Sequence, residues 1–434
     1  MSTATPMSDV SQATPATQPD IKSLYSESIR DMETYIMFRI AKRVADLTPS
    51  LTEKGRAPIK FSMGAPVVPP PQAMQNELIK AMDTAANHTY STPRGEPFFR
   101  QAVATRMKQR FGVTIDPDTE VCSLLGSKEG LGNLFRGLIS YRSTASQKEV
   151  ILVPDPGYAS YGDAIRICGG LPMPLKMTPD NRYMPDLEAR IKELKAEGIG
   201  PERIKALVLC YPSNPTGMSC TLDYYEQAVA VCKRHNILLI NDPAYADLYF
   251  PGEEPPHSAL EVAGAKDITI EFHTLSKPYA ATGWRIGFAV GHPDAITALE
   301  RVKGTVDSGI FKAIQKAGAF ALTSPECEAY ILEQNALYQT SQQLMVDGLR
   351  ELGWPMDDVM LPKATFYLWI PVPPRFESAT DFATQLLEKS GIVIVPGTAF
   401  GQYGEGYVRL SLVDTHDNMR EALRRMKEDG FTWQ

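Results

Sequence analysis

The strongest constraint on this chain is an alternation in its middle third. Short β-branched and apolar runs recur at Glu149–Val153 (EVILV), Lys205–Cys210 (KALVLC), Ile237–Asn241 (ILLIN), Ile268–Phe272 (ITIEF) and Arg285–Val290 (RIGFAV). Helical patterns over 127–141, 158–169, 221–236 and 293–304 lie between several of them. Strands that are apolar on both faces and separated by helices imply a mostly parallel sheet covered on two sides, an α/β fold. Sheets of this kind bind ligands at the carboxyl ends of their strands. The residues that follow each strand are therefore where chemistry is expected.

Beyond about residue 320 the texture changes. A long helical pattern (324–352) leads to the run Ala364–Ile370 (ATFYLWI), a helix over 380–390, and strands at Ile392–Val395 and Tyr407–Leu412. These predict a smaller α+β domain over 321–434, beside a large domain over 61–320. Residues 21–60 form an arm expected to join the smaller domain, with a helix over Ile29–Leu47. Residues 1–20 are mostly Ser, Thr, Ala, Gln and Pro, with no basic residue and no apolar stretch. They read as a disordered tail, and not as a secretory signal.

Composition removes several classes of function. The net charge of −7 offers no basic field for nucleic acid, and no polybasic run suggests a membrane surface. The longest uncharged stretch, Ala206–Leu222, contains Asn214 and two prolines, a poor membrane span. Six cysteines form no C-x-x-C pair, so they read as thiols in a reducing, cytoplasmic setting. The six histidines show no ligand spacing, so no protein-held metal is expected.

Four loops after predicted strands carry unusual polar residues. Tyr211-Pro212-Ser213-Asn214-Pro215-Thr216-Gly217 follows one, and Asp242-Pro243-Ala244-Tyr245 the next. Thr274-Leu275-Ser276-Lys277 follows a third, with Arg285 eight residues later, and Gly126-Ser127-Lys128 opens a helix after Glu120–Leu125. Singly, each reads as a turn, a cap or a surface charge. Together they supply what a phosphorylated pyridine aldehyde needs. That cofactor takes an amine of lowered pKa, a carboxylate at its ring nitrogen and donors at its phenolic oxygen. Its phosphate takes a helix N-terminus with hydroxyls and an arginine.

The ordered set N-P-x-G, D-x-x-Y, [ST]-x-S-K and G-x-R resembles the class I/II aminotransferases of pyridoxal-phosphate fold type I, over about residue 25 to the C-terminus. The resemblance implies a mostly parallel seven-stranded sheet flanked by helices, a smaller α+β domain and pyridoxal 5′-phosphate as cofactor. It implies that Lys277 carries the cofactor and shuttles a proton. Asp242 would face the ring nitrogen, and Asn214 and Tyr245 the ring hydroxyl. Ser127, the Lys128 backbone, Thr274, Ser276 and Arg285 would form the phosphate cradle, and Tyr158 would stack on the ring. Arg409, in Tyr407-Val408-Arg409-Leu410-Ser411, matches the arginine that grips the substrate α-carboxylate, with Asn214 and Gly64 beside it. Tyr90, in Thr89-Tyr90-Ser91, matches a tyrosine lent to the neighbouring subunit, which implies a homodimer with a shared site.

Three strings, Pro362–Trp369, Pro396–Gly401 and Val306–Phe311, look like the LL-diaminopimelate aminotransferase group, and less closely like alanine and aspartate aminotransferases. The favoured substrates are LL-2,6-diaminopimelate and 2-oxoglutarate. A glutamate expected after the Tyr90 position in the plant-type enzymes is replaced by Ser91-Thr92-Pro93-Arg94, so Arg94 could instead meet a distal carboxylate. Alanine or aspartate transfer, a β-lyase on the same cofactor and a non-catalytic sensor stay as alternatives.

Overall fold

The structure is a computed structural model, and it describes residues 20–32, 34, 36–140, 144 and 147–434. Residues 21–24 make a 3-10 turn and Glu27–Arg30 a single helical turn. From Thr34 onward the chain is a second unit. The expected tail lies outside the described residues apart from Asp20.

A two-residue strand, β1 (Ile59–Lys60), comes first. Seven strands then form one sheet: β2 (Val121–Leu124), β3 (Val150–Asp155), β4 (Leu171–Lys176), β5 (Ile204–Leu209), β6 (Leu238–Asn241), β7 (Thr269–Thr274) and β8 (Gly287–Gly291). Their order is β2-β8-β7-β6-β5-β3-β4, parallel throughout except that β8 runs antiparallel to both its neighbours. The β5 residues show why the runs are continuously apolar. Ala206 and Val208 face one core, with Leu134, Phe135 and Ile165 of the helices on that side. Leu207 and Leu209 face another, with Leu187, Ile191 and Val229. Successive side chains alternate faces, so a strand covered by helices on both sides must be apolar at every position.

The smaller sheet joins β9 (Tyr367–Pro371), β11 (Val395–Pro396) and β12 (Tyr407–Ser411) in the antiparallel order β11-β12-β9, while β10 (Ile392–Val393) pairs with β1. The stretch Ile392–Val395, expected as one strand, is thus two, because the chain changes partner at Ile394. A core of Phe61, Met345, Leu349, Leu368, Phe382 and Leu410 packs this sheet against the helices Pro325–Glu351 and Ala379–Ser390.

Two further expectations differ. The helix expected over Ile29–Leu47 is two segments, Glu27–Arg30 and Ile36–Glu53, broken after Asp31 caps the first turn. The second runs past Pro49 because Leu51 continues the buried stripe begun at Val44 and Leu47. Strand β4 carries Pro172 and Pro174 and escapes the strand pattern. Its place at the sheet edge accommodates them. Two residues apart, both prolines aim their missing N–H the same way, toward the open side, where the Pro174 carbonyl accepts from Arg190 Nε at 3.1 Å.

Candidate active site

The carboxyl ends of five strands deliver the expected groups to one place. Strand β2 ends at Gly126 and the helix Ser127–Leu138; β3 leads to Tyr158; β5 to Asn214; β6 to Asp242 and Tyr245; β7 to Thr274, Ser276 and Lys277. The smaller sheet adds Arg409 from the middle of β12. Ser127, Tyr158, Asn214, Asp242, Tyr245, Thr274, Ser276, Lys277 and Arg409, with Gly64, Lys128 and Arg285, line a single cavity of about 500 Å³. That volume falls within the range typical of small-molecule sites.

The Lys277 amine donates to the Gly64 carbonyl at 2.6 Å. Burial, aided by the positive charges of Arg409 and Arg285, lowers its pKa to about 8 against the opposing pull of Asp242. Asp242 is 4% exposed, and burial pushes its carboxyl up to about 6. One oxygen, Oδ2, accepts from the Tyr161 hydroxyl at 2.6 Å, while Oδ1 is buried without a donor. A buried carboxylate oxygen left unpaired is costly, and it is a place for a ligand N–H.

Arg409, 3% exposed, donates through Nη1 to Asn214 Oδ1 at 2.8 Å and through Nη2 to the Ser62 carbonyl at 3.0 Å. Its Nε is buried and unpaired. The guanidinium carbon lies 4.4 Å from the Tyr367 ring centre and 4.7 Å from that of Phe400. A buried guanidinium held by an amide, a carbonyl and two aromatic rings, with its Nε still unpaired, is set to receive an anion. Tyr245 and Tyr367 share a hydrogen bond of 2.8 Å between their hydroxyls.

At the other end, Arg285 donates to the Leu125 and Thr282 carbonyls at 3.0 Å each and reaches Ser276 Oγ at 3.4 Å. It lies against the turn at Gly126, whose φ is +82°, and a Cβ there would fall 2.3 Å from Arg285 Nη2. Gly126 carries no side-chain cap, so the first N–H groups of the following helix have none from it. An uncapped helix start beside a guanidinium and hydroxyls is an anion cradle. Tyr158 borders the cavity with its ring edge-on to Tyr161, centroids 5.5 Å apart.

Comparison with known proteins agrees with this geometry. The family described as aminotransferase class I and II matches residues 56–426. The chain belongs to that family. It is 41% identical over 385 residues to LL-diaminopimelate aminotransferase 2 of Trichormus variabilis, covering 88% of this chain and 94% of that one. It is 38% identical over 406 residues to LL-diaminopimelate aminotransferase of Halothermothrix orenii, covering 94% and 98%. Among solved structures, substrate-bound BacF of Bacillus subtilis superposes with a TM-score of 0.85 at 30% identity, covering 94% and 98%. Aspartate aminotransferase of Thermus thermophilus with maleate superposes at 0.81 and 27% identity, covering 93% and 99%.

Class I and II aminotransferases are pyridoxal-phosphate dependent and act on amino acids and 2-oxo acids. The residues present fit that cofactor. The unpaired Asp242 oxygen suits its ring nitrogen, the Gly126–Ser127 turn with Arg285 suits its phosphate, and the amine of lowered pKa suits its aldehyde. Among the described residues no His/Cys/Asp/Glu cluster could hold a metal, and no helix is long and apolar enough to cross a membrane.

Two expected residues stand apart. Tyr90 is 89% exposed and is not among the cavity residues. Arg94 is not a cavity residue either, which removes it as this chain's own distal reader. Its Nη2 pairs with Glu300 at 2.5 Å, and its Nη1 donates to the Asp118 carbonyl at 2.6 Å. Tyr161, Tyr367, Phe400 and Met37 also line the cavity, and no motif in the sequence assigns them a role. Tyr161 stood three residues after Tyr158, one helical turn on, which was the available signal. Tyr367 and Phe400 lay in stretches that read as packing and loop.

Proposed function

We propose that this protein transfers an amino group between LL-2,6-diaminopimelate and 2-oxoglutarate, as a cytoplasmic homodimer whose active sites are shared. The observation that carries the reading is the Arg409–Asn214 pair opening into the same cavity as the Lys277 amine and the unpaired Asp242 oxygen. The diaminopimelate assignment is supported by the names of relatives 38–41% identical to this chain. The reducing setting is supported by six unpaired cysteines.

The roles follow from the chemistry of each group. When bound, the cofactor supplies an electron-withdrawing ring that acidifies the substrate Cα–H. Asp242 Oδ1 would hold the proton on the ring nitrogen, and Tyr161 holds the Asp242 carboxylate in place. Asn214 and Tyr245 would donate to the ring hydroxyl, and Tyr158 would cover the ring face. Ser127, the Lys128 backbone, Thr274, Ser276 and Arg285 would hold the phosphate. Arg409 fixes the substrate α-carboxylate, which presents Cα to Lys277, while Gly64 leaves room for it. Lys277 Nζ is substantially neutral near pH 8, so it can take the proton from Cα and return it. The cavity wall near Arg409 is apolar at Met37, Ala399 and Phe400 and suits an aliphatic chain. The far amino and carboxylate groups of the substrate then fall to the partner subunit, to which Tyr90 would extend.

The test uses purified protein with 2-oxoglutarate and, separately, LL-diaminopimelate, alanine and aspartate. Turnover of diaminopimelate well above the others is expected. Robust alanine or aspartate turnover with none of diaminopimelate would overturn the substrate and leave the class. Lys277→Ala is expected to fold and to lack the visible absorbance of the cofactor-bound protein. A near wild-type rate in that variant would overturn the site.

A further inference from the structure

Tyr367 is a cavity residue to which neither the motif pattern nor the comparisons give a role. Its side chain is 1% exposed. Its hydroxyl shares a 2.8 Å hydrogen bond with the Tyr245 hydroxyl, and its ring lies 4.4 Å beneath the Arg409 guanidinium carbon. It thus touches a group from the large sheet and a group from the small one. Its place is fixed by backbone bonds: Thr365 N–H to the Leu248 carbonyl at 2.7 Å and Phe250 N–H to the Lys363 carbonyl at 2.9 Å. The register of β9 with β12 adds the pairing Tyr367 to Ser411. Gly64 completes the fit, because a Cβ at that position would come within 3.1 Å of the Tyr367 hydroxyl.

A buried phenol stabilises its surroundings only when its hydroxyl is paired. A hydroxyl donates one proton. If Tyr245 spends its proton on the cofactor's ring oxygen, the bond to Tyr367 must run the other way. We propose that Tyr367 is a positioning residue with two separable tasks: its hydroxyl donates to Tyr245 and aims that hydroxyl at the cofactor ring oxygen, and its ring seats Arg409 for the substrate carboxylate. The inference rests on the cofactor reading above. Donation from Tyr367 strengthens Tyr245 as a donor, because hydrogen bonds in a chain polarise one another. With the cofactor bound, stronger donation from Tyr245 would draw negative charge from its ring oxygen and so lower the pH at which the visible band titrates.

The two tasks separate by mutation. In cofactor-loaded Tyr367→Phe the ring stays, so KM for the amino acid is expected to stay within twofold. The pH midpoint of the visible absorbance, read without substrate, rises by about 0.5 unit, the size of a modest hydrogen bond. In Tyr367→Leu the ring is lost as well, and KM rises about fivefold, as for a cation–π contact of about 1 kcal/mol. Adding Tyr367→Phe to Tyr245→Phe should shift the midpoint no further, since the hydroxyl acts through Tyr245. Thermal unfolding of each variant controls for damage to the fold, and the double variant carries the test if Tyr367→Phe alone folds poorly. An unshifted midpoint in Tyr367→Phe, additive shifts in the double variant, or equal KM in the Phe and Leu variants would overturn the proposal. Absence of any visible band in the wild-type protein loaded with pyridoxal phosphate would instead overturn the cofactor reading.

Discussion

The Tyr161 hydroxyl donates to Asp242 Oδ2 at 2.6 Å, while Asp242 Oδ1, equally buried, has no donor. One oxygen is thus anchored by the protein and the other is left for a ligand. Hydrogen bonds to charged groups are worth about 1.5–3 kcal/mol. Tyr161→Phe is therefore expected to weaken pyridoxal phosphate binding by roughly tenfold or more. Titration of the apoprotein measures this, and unchanged affinity would show that Tyr161 does not hold the carboxylate.

Asp242 also sets a pH dependence of stability. Its folded carboxyl, raised by burial to about 6, binds a proton more tightly than in the unfolded chain, where 3.8 applies. The ionised form therefore costs stability. The cost is absent below about pH 4, grows as pH rises toward 6, and is full above that. Asp242→Asn is expected to stabilise the apoprotein at pH 8 by an amount of order 3 kcal/mol, and the gain should vanish near pH 4. Denaturant unfolding of the apoprotein at both values checks it. A gain independent of pH would mean the carboxyl is not strained by burial.

Lys277 titrates low because burial and two arginines disfavour its charge, giving a value of about 8. Only the free amine attacks an aldehyde. The rate at which apoprotein takes up pyridoxal phosphate should climb from pH 7 to pH 9 with a midpoint near 8. A flat profile across that interval would contradict the lowered amine.

Gly126 combines a φ of +82° with a close approach to Arg285. Gly126→Ala pays backbone strain of about 1 kcal/mol, and its methyl pushes the guanidinium out of the cradle. Affinity for pyridoxal phosphate should fall at least tenfold, with a smaller loss for a cofactor analogue that lacks the phosphate. Equal losses for both would place the phosphate elsewhere.

Much of this was legible in the chain itself. The apolar runs of β3, β5, β6 and β7 could only suit a sheet buried on both faces, and the rule that ligands bind at strand ends pointed to Asn214, Asp242, Lys277 and Ser127. These signals are local: each depends on residues a few positions apart. The proline-bearing β4 was hidden because its tolerance depends on being an edge, a property of its neighbours in space. The change of partner at Ile394 was hidden for the same reason.

Residue types and their spacing determined by themselves the sheet, the cofactor class and most of the polar groups that line the cavity. Tertiary structure alone decided that Arg409 lies on Tyr367, that Tyr161 anchors one oxygen of Asp242, and that Arg94 spends its charge on Glu300. Those contacts join positions 42, 81 and 206 apart in the chain. No local pattern encodes such a distance. Only the packing of two sheets and their helices sets which side chains share a dry cavity, and burial there decides what each charge does.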